Sequence, residues 1–293
     1  MRWLIFGGTG WIGGMLVRLL SDNEENEVII SKSRLEHPAD VCSELDAHKP
    51  DRVINAAGLT GTPNIDWLED HQVEGLRVNV TGTLFLLDAC FTRGIHVTQL
   101  ATGCIYEYDE THMPGPHGTP FTETDVPNFE KSYYSKTKKM LELLAEPLLT
   151  NTLWLRIRMP LTPDSHPRNF ITKIRKYKKV VNIQNSMTVL TEMCPVVLLL
   201  ATHKEVGIYN FTNPGTISHN EVLSLYRDTV DPSFTWENFS VEEQSLILKA
   251  GRSNNALDSS KLMETVRRLD PRLLPKPIGE AVLNLFKTYH ATS

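Results

Sequence analysis

The segment that most constrains this chain is Gly7-Gly8-Thr9-Gly10-Trp11-Ile12-Gly13-Gly14, which follows the apolar run Trp3-Phe6 and opens an amphipathic stretch, Ile12-Leu20. A strand, a glycine turn and a helix start, in that order, aim backbone N–H groups and the positive end of a helix dipole at one point, where a pyrophosphate is well received. Gly7 permits the tight turn, Gly10 lets backbone approach phosphate oxygens, and Gly13 lets the helix pack closely on the strand. A glycine-rich turn with no ligand is the bland alternative, but the placement between strand and helix favours dinucleotide binding. The contacts would fall to Gly7, Thr9, Gly10, Trp11, Ile12 and Gly13.

The pattern continues through Val28-Ile30, Arg52-Ile54, Val97-Leu100 and Thr152-Ile157, short β-type runs separated by the helical stretches Val78-Phe91 and Ser132-Leu148. Repeated βαβ units predict an α/β fold, a doubly wound parallel sheet of the Rossmann type, over residues 1–160. Pro160, Pro163 and Pro167 end the alternation, and residues 161–293 are expected to form a smaller, mostly helical substrate domain. Its expected helices are Phe170-Lys178, Thr191-His203, Asn220-Thr229, Val241-Lys249 and Ile278-Tyr289, with strand 207–211 expected to rejoin the sheet. Ligands of open sheets sit beyond the carboxyl ends of the strands, so this second part should cover that edge and carry selectivity.

Composition narrows the class. A 41% apolar and 22% charged chain is an ordinary globular protein, and a net charge of -5 disfavours nucleic acid as a main partner. Cys42, Cys90, Cys104 and Cys194 show no spacing of a zinc site or disulfide framework, so no metal is expected. The N-terminus has no signal-peptide pattern and no apolar run spans a membrane, which predicts a cytoplasmic protein without a membrane partner.

At the end of the second strand, Ser31-Lys32-Ser33-Arg34 offers hydroxyls and a guanidinium where a ribose 2′-hydroxyl would call for an acid. Ser33 and Arg34 therefore suit a 2′-phosphate and point to NADPH rather than NADH, unless Lys32 and Arg34 only solvate the loop. Tyr134 and Lys138 stand one helical turn apart. An ammonium beside a phenol lowers its pKa from about 10 and fits it to exchange protons with a carbonyl oxygen.

These features combine with Asn55-Ala56-Ala57-Gly58, Asn79 and Ala101-Thr102-Gly103-Cys104 into a set that resembles the extended short-chain dehydrogenase/reductases. The resemblance implies cofactor contacts at Asn55, Ala56, Ala57, Tyr134 and Lys138. It also implies a reductive set in which Thr102 bonds the substrate carbonyl and Tyr134 supplies the proton. Longer segments span both halves: Ala101 to Tyr108, Arg168-Asn169-Phe170-Ile171-Thr172-Lys173-Ile174, Tyr209 to Gly215 and Arg252-Ser253-Asn254-Asn255. They are similar to the nucleotide-rhamnose synthases, the 3,5-epimerase/4-reductases of UDP-4-keto-6-deoxyglucose.

That likeness implies two further catalytic residues, Cys104 and Lys173, as proton acceptor and donor on opposite faces of the sugar ring. Without it, Cys104 reads as a small buried hydrophobe, and Lys173 as one of a basic run that is a solvated face or a diphosphate-binding patch. Arg252 suits a diphosphate, while Asn169, Asn254 and Asn255 read either as sugar or uracil ligands or as loop caps. Thr60, Asn64 and Trp67 are expected along the hexose pocket, although Trp67 fits a core equally well. A nucleotide-sugar is thus the expected substrate, supplied by a 4,6-dehydratase on another protein or domain. The pair of helices at Val78-Phe91 and Ser132-Leu148 is a candidate homodimer face. Two other readings stay open, a 4-keto-reductase like dTDP-4-dehydrorhamnose reductase and a non-catalytic cofactor-binding subunit.

Overall fold

The computed structural model describes residues 1–115 and 118–289. Its sheet begins with β1 (Arg2–Phe6), β2 (Glu27–Ile30), β3 (Arg52–Asn55), β4 (His96–Thr102) and β5 (Thr152–Ile157). Four two-residue strands follow, β6 (Pro160–Leu161), β7 (Lys179–Val180), β8 (Gln184–Asn185) and β9 (Thr188–Val189), before β10 (Gly207–Asn210) pairs in parallel with β5. The six-stranded sheet runs β2-β1-β3-β4-β5-β10, every neighbour parallel. The order reverses beside β1, so the crevice that binds ligands in such sheets opens at the carboxyl ends of β1 and β3.

Alternation of side chains sends the apolar runs to two faces. Trp3, Ile5, Leu153, Leu155 and Ile157 pack with residues of α1 (Trp11–Ser21), α8 (Leu190–Thr202) and α11 (Ser260–Leu269). Leu4, Phe6, Val53, Val97 and Trp154 meet α2 (Pro38–His48), α5 (Thr83–Thr92) and α6 (Tyr133–Leu144). With both faces covered, the strands read as near-continuous apolar segments. A separate cluster lies beyond the sheet edge, where α7 (Phe170–Ile174), α9 (His219–Thr229) and α12 (Ile278–Lys287) bury Ile171, Ile174, Val222, Tyr226, Val282 and Phe286. β11 (Ile217–Ser218) pairs with β8 and β12 (Glu237–Asn238) with β7. Two short helices, α3 (Trp67–Asp70) and α4 (Gln72–Leu76), follow β3.

Several expected boundaries move. The helix expected over 170–178 stops at Ile174, where a run of lysines gives way to the β7–β12 pairing. The helix expected over 241–249 is only α10 (Val241–Ser245), because Leu246 and Ile247 find no packing surface to extend it and remain 88% and 73% exposed. The stretch 78–91 begins as a π-helical segment, Arg77–Gly82, and 132–148 ends in a separate turn at Glu146–Leu148, entered through Pro147. Helices α2 and α11 were not expected: α2 buries only Val41 and Leu45, a sparse stripe, whereas α11 is plainly amphipathic, burying Leu262, Thr265 and Val266 beneath a charged outer face.

Candidate active site

The glycine turn has the conformation its sequence demands. Gly7 has a φ of +73°, and a Cβ there would lie 2.6 Å from the Ala57 nitrogen, so the loop after β3 packs directly on the turn. A Cβ on Gly13 would lie 2.2 Å from the Gly7 carbonyl oxygen, which shows how closely α1 approaches β1. Helix α1 begins at Gly10 without a side-chain cap and without an acid in its first turn. Its orphan N–H groups and positive dipole end are thus free for an anion. The Asn55 side chain holds the neighbouring loop in shape, donating to Gln99 Oε1 (2.8 Å) and accepting from the Ala57 N–H (3.0 Å). Asn79, inside the π-helical segment, binds both the N–H and the carbonyl of Leu59 at 2.9 and 2.8 Å. At the end of β2 the Ser31 hydroxyl donates to Glu44, which also accepts from the Lys32 N–H at 2.9 Å, and the Ser33 N–H donates to Ser31 Oγ at 3.2 Å. These residues fit a dinucleotide: an uncapped helix start, a turn no side chain could enter and a hydroxyl-lined loop for the ribose.

Next to this cradle a cavity of about 710 Å³ lies between the carboxyl edge of the sheet and the C-terminal part, a size suited to a small organic ligand. Cys104, Tyr134, Lys173, Arg252, Thr60 and Asn64 all line it. Thr102, at the end of β4, accepts the Cys104 N–H on its hydroxyl at 3.1 Å and acts on the Tyr134 phenol, favouring its ionised form. Tyr134 and Lys138 rise from the first turns of α6, whose N-cap Ser132 accepts the Ser135 N–H. Helical spacing brings Lys138 Nζ to 6.0 Å from the centre of the Tyr134 ring.

The expected lowering of the phenol does not occur. Burial raises Tyr134 above its ordinary value, outweighing the bond from Thr102, and the same burial lowers Lys138 to about 8, so the ammonium is itself weakened as a partner. Because the folded value of Lys138 lies below its ordinary 10.5, the unfolded chain binds more protons between about 8 and 10.5. Stability therefore rises with pH through that window, and below it the buried charge is destabilising. Lys138→Met is expected to stabilise the cofactor-free protein at pH 7 by up to about 3 kcal/mol, the gain fading above pH 8, as read from melting temperatures across pH.

Lys173, on α7, is pushed below its usual value by burial and then by Arg168 and Arg252. Arg168 reaches Thr60, donating from Nη1 at 2.6 Å. Arg252 is tethered by Asp66, whose Oδ1 accepts from its Nη1 at 2.9 Å and from the Ala250 N–H at 3.2 Å. Lys176, Lys178 and Lys179 also line the cavity, an electropositive wall on a chain of net negative charge.

Three residues expected at the substrate are placed elsewhere. Asn169 is wholly buried as the N-cap of α7, donating to the Thr162 and Asp164 carbonyls at 2.8 and 2.6 Å. Asn255 donates to the Gly103 and Tyr106 carbonyls at 3.0 and 2.9 Å. Trp67 stacks on His71 with ring centres 3.6 Å apart, outside the residues lining the cavity. Asn254 does line it and accepts from Asn185 Nδ2 at 2.9 Å. Sequence reading missed Phe170, His219 and Phe239 on the cavity wall, none of which carries a local signal. It also missed Arg158, whose signal was visible: a second arginine, with Arg156, in an otherwise apolar strand run.

This geometry is that of a dinucleotide-dependent enzyme of the short-chain type, and the chain belongs to the NAD dependent epimerase/dehydratase family, matched over residues 3–184. Among its relatives is the bifunctional dTDP-4-dehydrorhamnose 3,5-epimerase/dTDP-4-dehydrorhamnose reductase of Arabidopsis thaliana, 50% identical over 262 residues, 89% of this chain and 86% of that protein. The crystal structure of the L780 UDP-rhamnose synthase from Acanthamoeba polyphaga mimivirus has the same fold, with a TM-score of 0.91 and 42% identity over 98% of this chain and 99% of that one. A trifunctional UDP-glucose 4,6-dehydratase/UDP-4-keto-6-deoxy-D-glucose 3,5-epimerase/UDP-4-keto-L-rhamnose-reductase of A. thaliana is 49% identical over 263 residues. The match covers 89% of this chain but only 39% of that longer protein. No helix among the described residues is long and apolar enough to cross a membrane.

Proposed function

We propose that this enzyme converts UDP-4-keto-6-deoxyglucose to UDP-L-rhamnose, epimerising C3 and C5 and then reducing C4. The observation that carries the reading is the meeting of Tyr134, Cys104, Lys173 and Arg252 on one cavity, whose lining includes Thr60 of the same loop that packs on the glycine turn through Ala57. In a 4-ketohexose the C3 and C5 hydrogens are both α to the carbonyl, and their removal is practical only when donors steady the enolate oxygen. Thr102 and the protonated Tyr134 supply those donors. Cys104 takes the carbon-bound proton, Lys173 returns one on the other ring face, and Arg252 with the lysine wall holds the diphosphate. When bound at the glycine turn, a reduced nicotinamide supplies the hydride for C4. Gly7 to Gly13, Asn55, Ala56, Ala57 and Lys138 would hold it.

NADPH is the proposed form of the cofactor. Glu44 is already engaged by Ser31 and the Lys32 N–H, while Ser33 and the exposed Arg34 remain for a 2′-phosphate. Incubation with UDP-4-keto-6-deoxyglucose should consume NADPH at least about tenfold more efficiently than NADH, and nuclear magnetic resonance should identify the product as the L-rhamno isomer. A preference for NADH would remove the cofactor assignment. A product with unchanged C3 and C5 configuration would reduce the enzyme to a 4-keto-reductase.

A further inference from the structure

Two arginines alternate along β5 and its continuation, facing the same way, yet only one has a counter-charge. Arg156 donates to Glu142 of α6 from Nε at 3.1 Å and Nη2 at 2.5 Å, a pair buried on both sides. Arg158 is just as buried, with 1% of its surface exposed, but every acceptor it meets is neutral. It donates to the Ser186 carbonyl (3.3 Å), the Gly103 carbonyl (3.3 Å), the Ser253 hydroxyl and carbonyl (2.9 and 3.1 Å) and Asn185 Oδ1 (2.5 Å). Among the described residues no carboxylate pairs with it. A buried charge is normally paired or discharged, and a guanidinium is not discharged at any pH a protein survives. Arg158 therefore keeps a full positive charge in a place where it is expensive to hold.

That charge lies behind the segment carrying Cys104. The Gly103 carbonyl is held jointly by Arg158 and Asn255, and a Cβ on Gly103 would sit 3.0 Å from Arg158 Cγ. Cys104 itself is half-buried, its chain neighbour Gly103 is held by Arg158, and Tyr134, Lys173 and Arg252 share its cavity. Tyr134 stays neutral, so every charged neighbour among these is a cation, and Arg158 is the one that solvent and substrate do not reach.

We propose that Arg158 is a positioning residue whose unpaired guanidinium offsets the cost of a thiolate at Cys104 and so makes that side chain the carbon base. The idea rests on the epimerase reading above. In the step it serves, the thiolate sulfur takes the proton from a carbon α to the ketone and becomes a thiol. The C–H electron pair moves to the carbonyl oxygen held by Thr102 and Tyr134, and the ammonium of Lys173 protonates the carbon from the opposite face. Nothing is oxidised or reduced, and one proton enters for each that leaves.

Two variants remove the charge effect in different ways. Arg158→Gln deletes the guanidinium. Asn185→Asp keeps the acceptor contacts of Asn185 Oδ1 to Arg158 Nη2 and the Asn255 N–H (3.0 Å) but gives the guanidinium the carboxylate it lacks. The measurement is the rate of iodoacetamide alkylation of Cys104 in the native protein, read by peptide mass spectrometry, with thermal melts to confirm folding. In both variants alkylation at pH 7 should slow roughly tenfold, whereas Arg158→Lys, which keeps the charge, should slow it less than about threefold. Unchanged alkylation in folded Asn185→Asp overturns the proposal, and this near-isosteric variant decides the matter if Arg158→Gln fails to fold. Slower alkylation with undiminished C3 and C5 exchange would leave the role of Arg158 standing and remove Cys104 as the base.

Discussion

Cys104→Ala should cut the incorporation of solvent deuterium at C3 and C5 of the 4-ketosugar by at least about a thousandfold, while a ketosugar already epimerised is still reduced within about threefold of the native rate. The split follows from what each step asks of the site. Exchange at carbon needs a base at the ring face, and of the side chains lining the cavity near Tyr134 and Thr102, Cys104 is the one placed just past β4, with its backbone fixed by Thr102 Oγ1. Reduction at C4 needs only the oxygen's donors and the hydride. A small residue at position 104 removes the first requirement and leaves the second, because Thr102 and Tyr134 are held by β4 and α6 independently of the thiol. The variant carries little stability penalty, since the side chain is half-buried and its N–H bond to Thr102 belongs to the backbone. Deuterium uptake followed by mass spectrometry, beside NADPH consumption on the two ketosugars, reads the split directly. Full conversion of the unepimerised substrate by the variant would take Cys104 out of the chemistry and leave Lys173 or an unassigned group as the base.

The legibility of this site in the sequence divides by whether a residue acts through its neighbours in the chain or across it. The glycine turn and the Tyr134/Lys138 pair were readable because each depends on local geometry, a strand-to-helix turn and a helical repeat, whereas Thr102 was legible only through the family resemblance. Asn169 and Asn255 looked like ligands because a polar residue in a loop has no local mark of whether its amide faces substrate or backbone. The fold spends both on carbonyls, which leaves Asn254 as the one of the three to line the cavity. Charge state was the least readable property of all. The Tyr-Lys spacing suggested a lowered phenol, but spacing says nothing about desolvation, and burial dominates both groups. Arg158 gave a signal that only topology interprets: an arginine in a strand run buried on both faces must have a purpose, yet its acceptors come from residues 103, 185, 186 and 253, far apart in sequence.

Tyr134→Phe should fail in both half-reactions, with C3 and C5 exchange and C4 reduction each falling about a hundredfold to ten-thousandfold. The reason is the charge state that burial imposes. A phenol held above its ordinary value stays protonated across the neutral range, so Tyr134 meets the substrate oxygen as a donor at every stage. It stabilises the enolate while carbon is deprotonated, and it surrenders its proton when the oxygen becomes an alkoxide. Phenylalanine keeps the ring, and with it the packing and the helix, but leaves Thr102 as the lone donor to a developing oxyanion, where loss of one such donor is worth roughly 3–4 kcal/mol. Cys104→Ala and Tyr134→Phe therefore separate the base from the oxygen's donors: the first should lose exchange alone, the second should lose both. If Tyr134→Phe kept deuterium exchange near the native rate while reduction collapsed, the enolate would have to be steadied by other groups, and the single-site account of epimerisation followed by reduction would give way to two separate ways of binding the sugar.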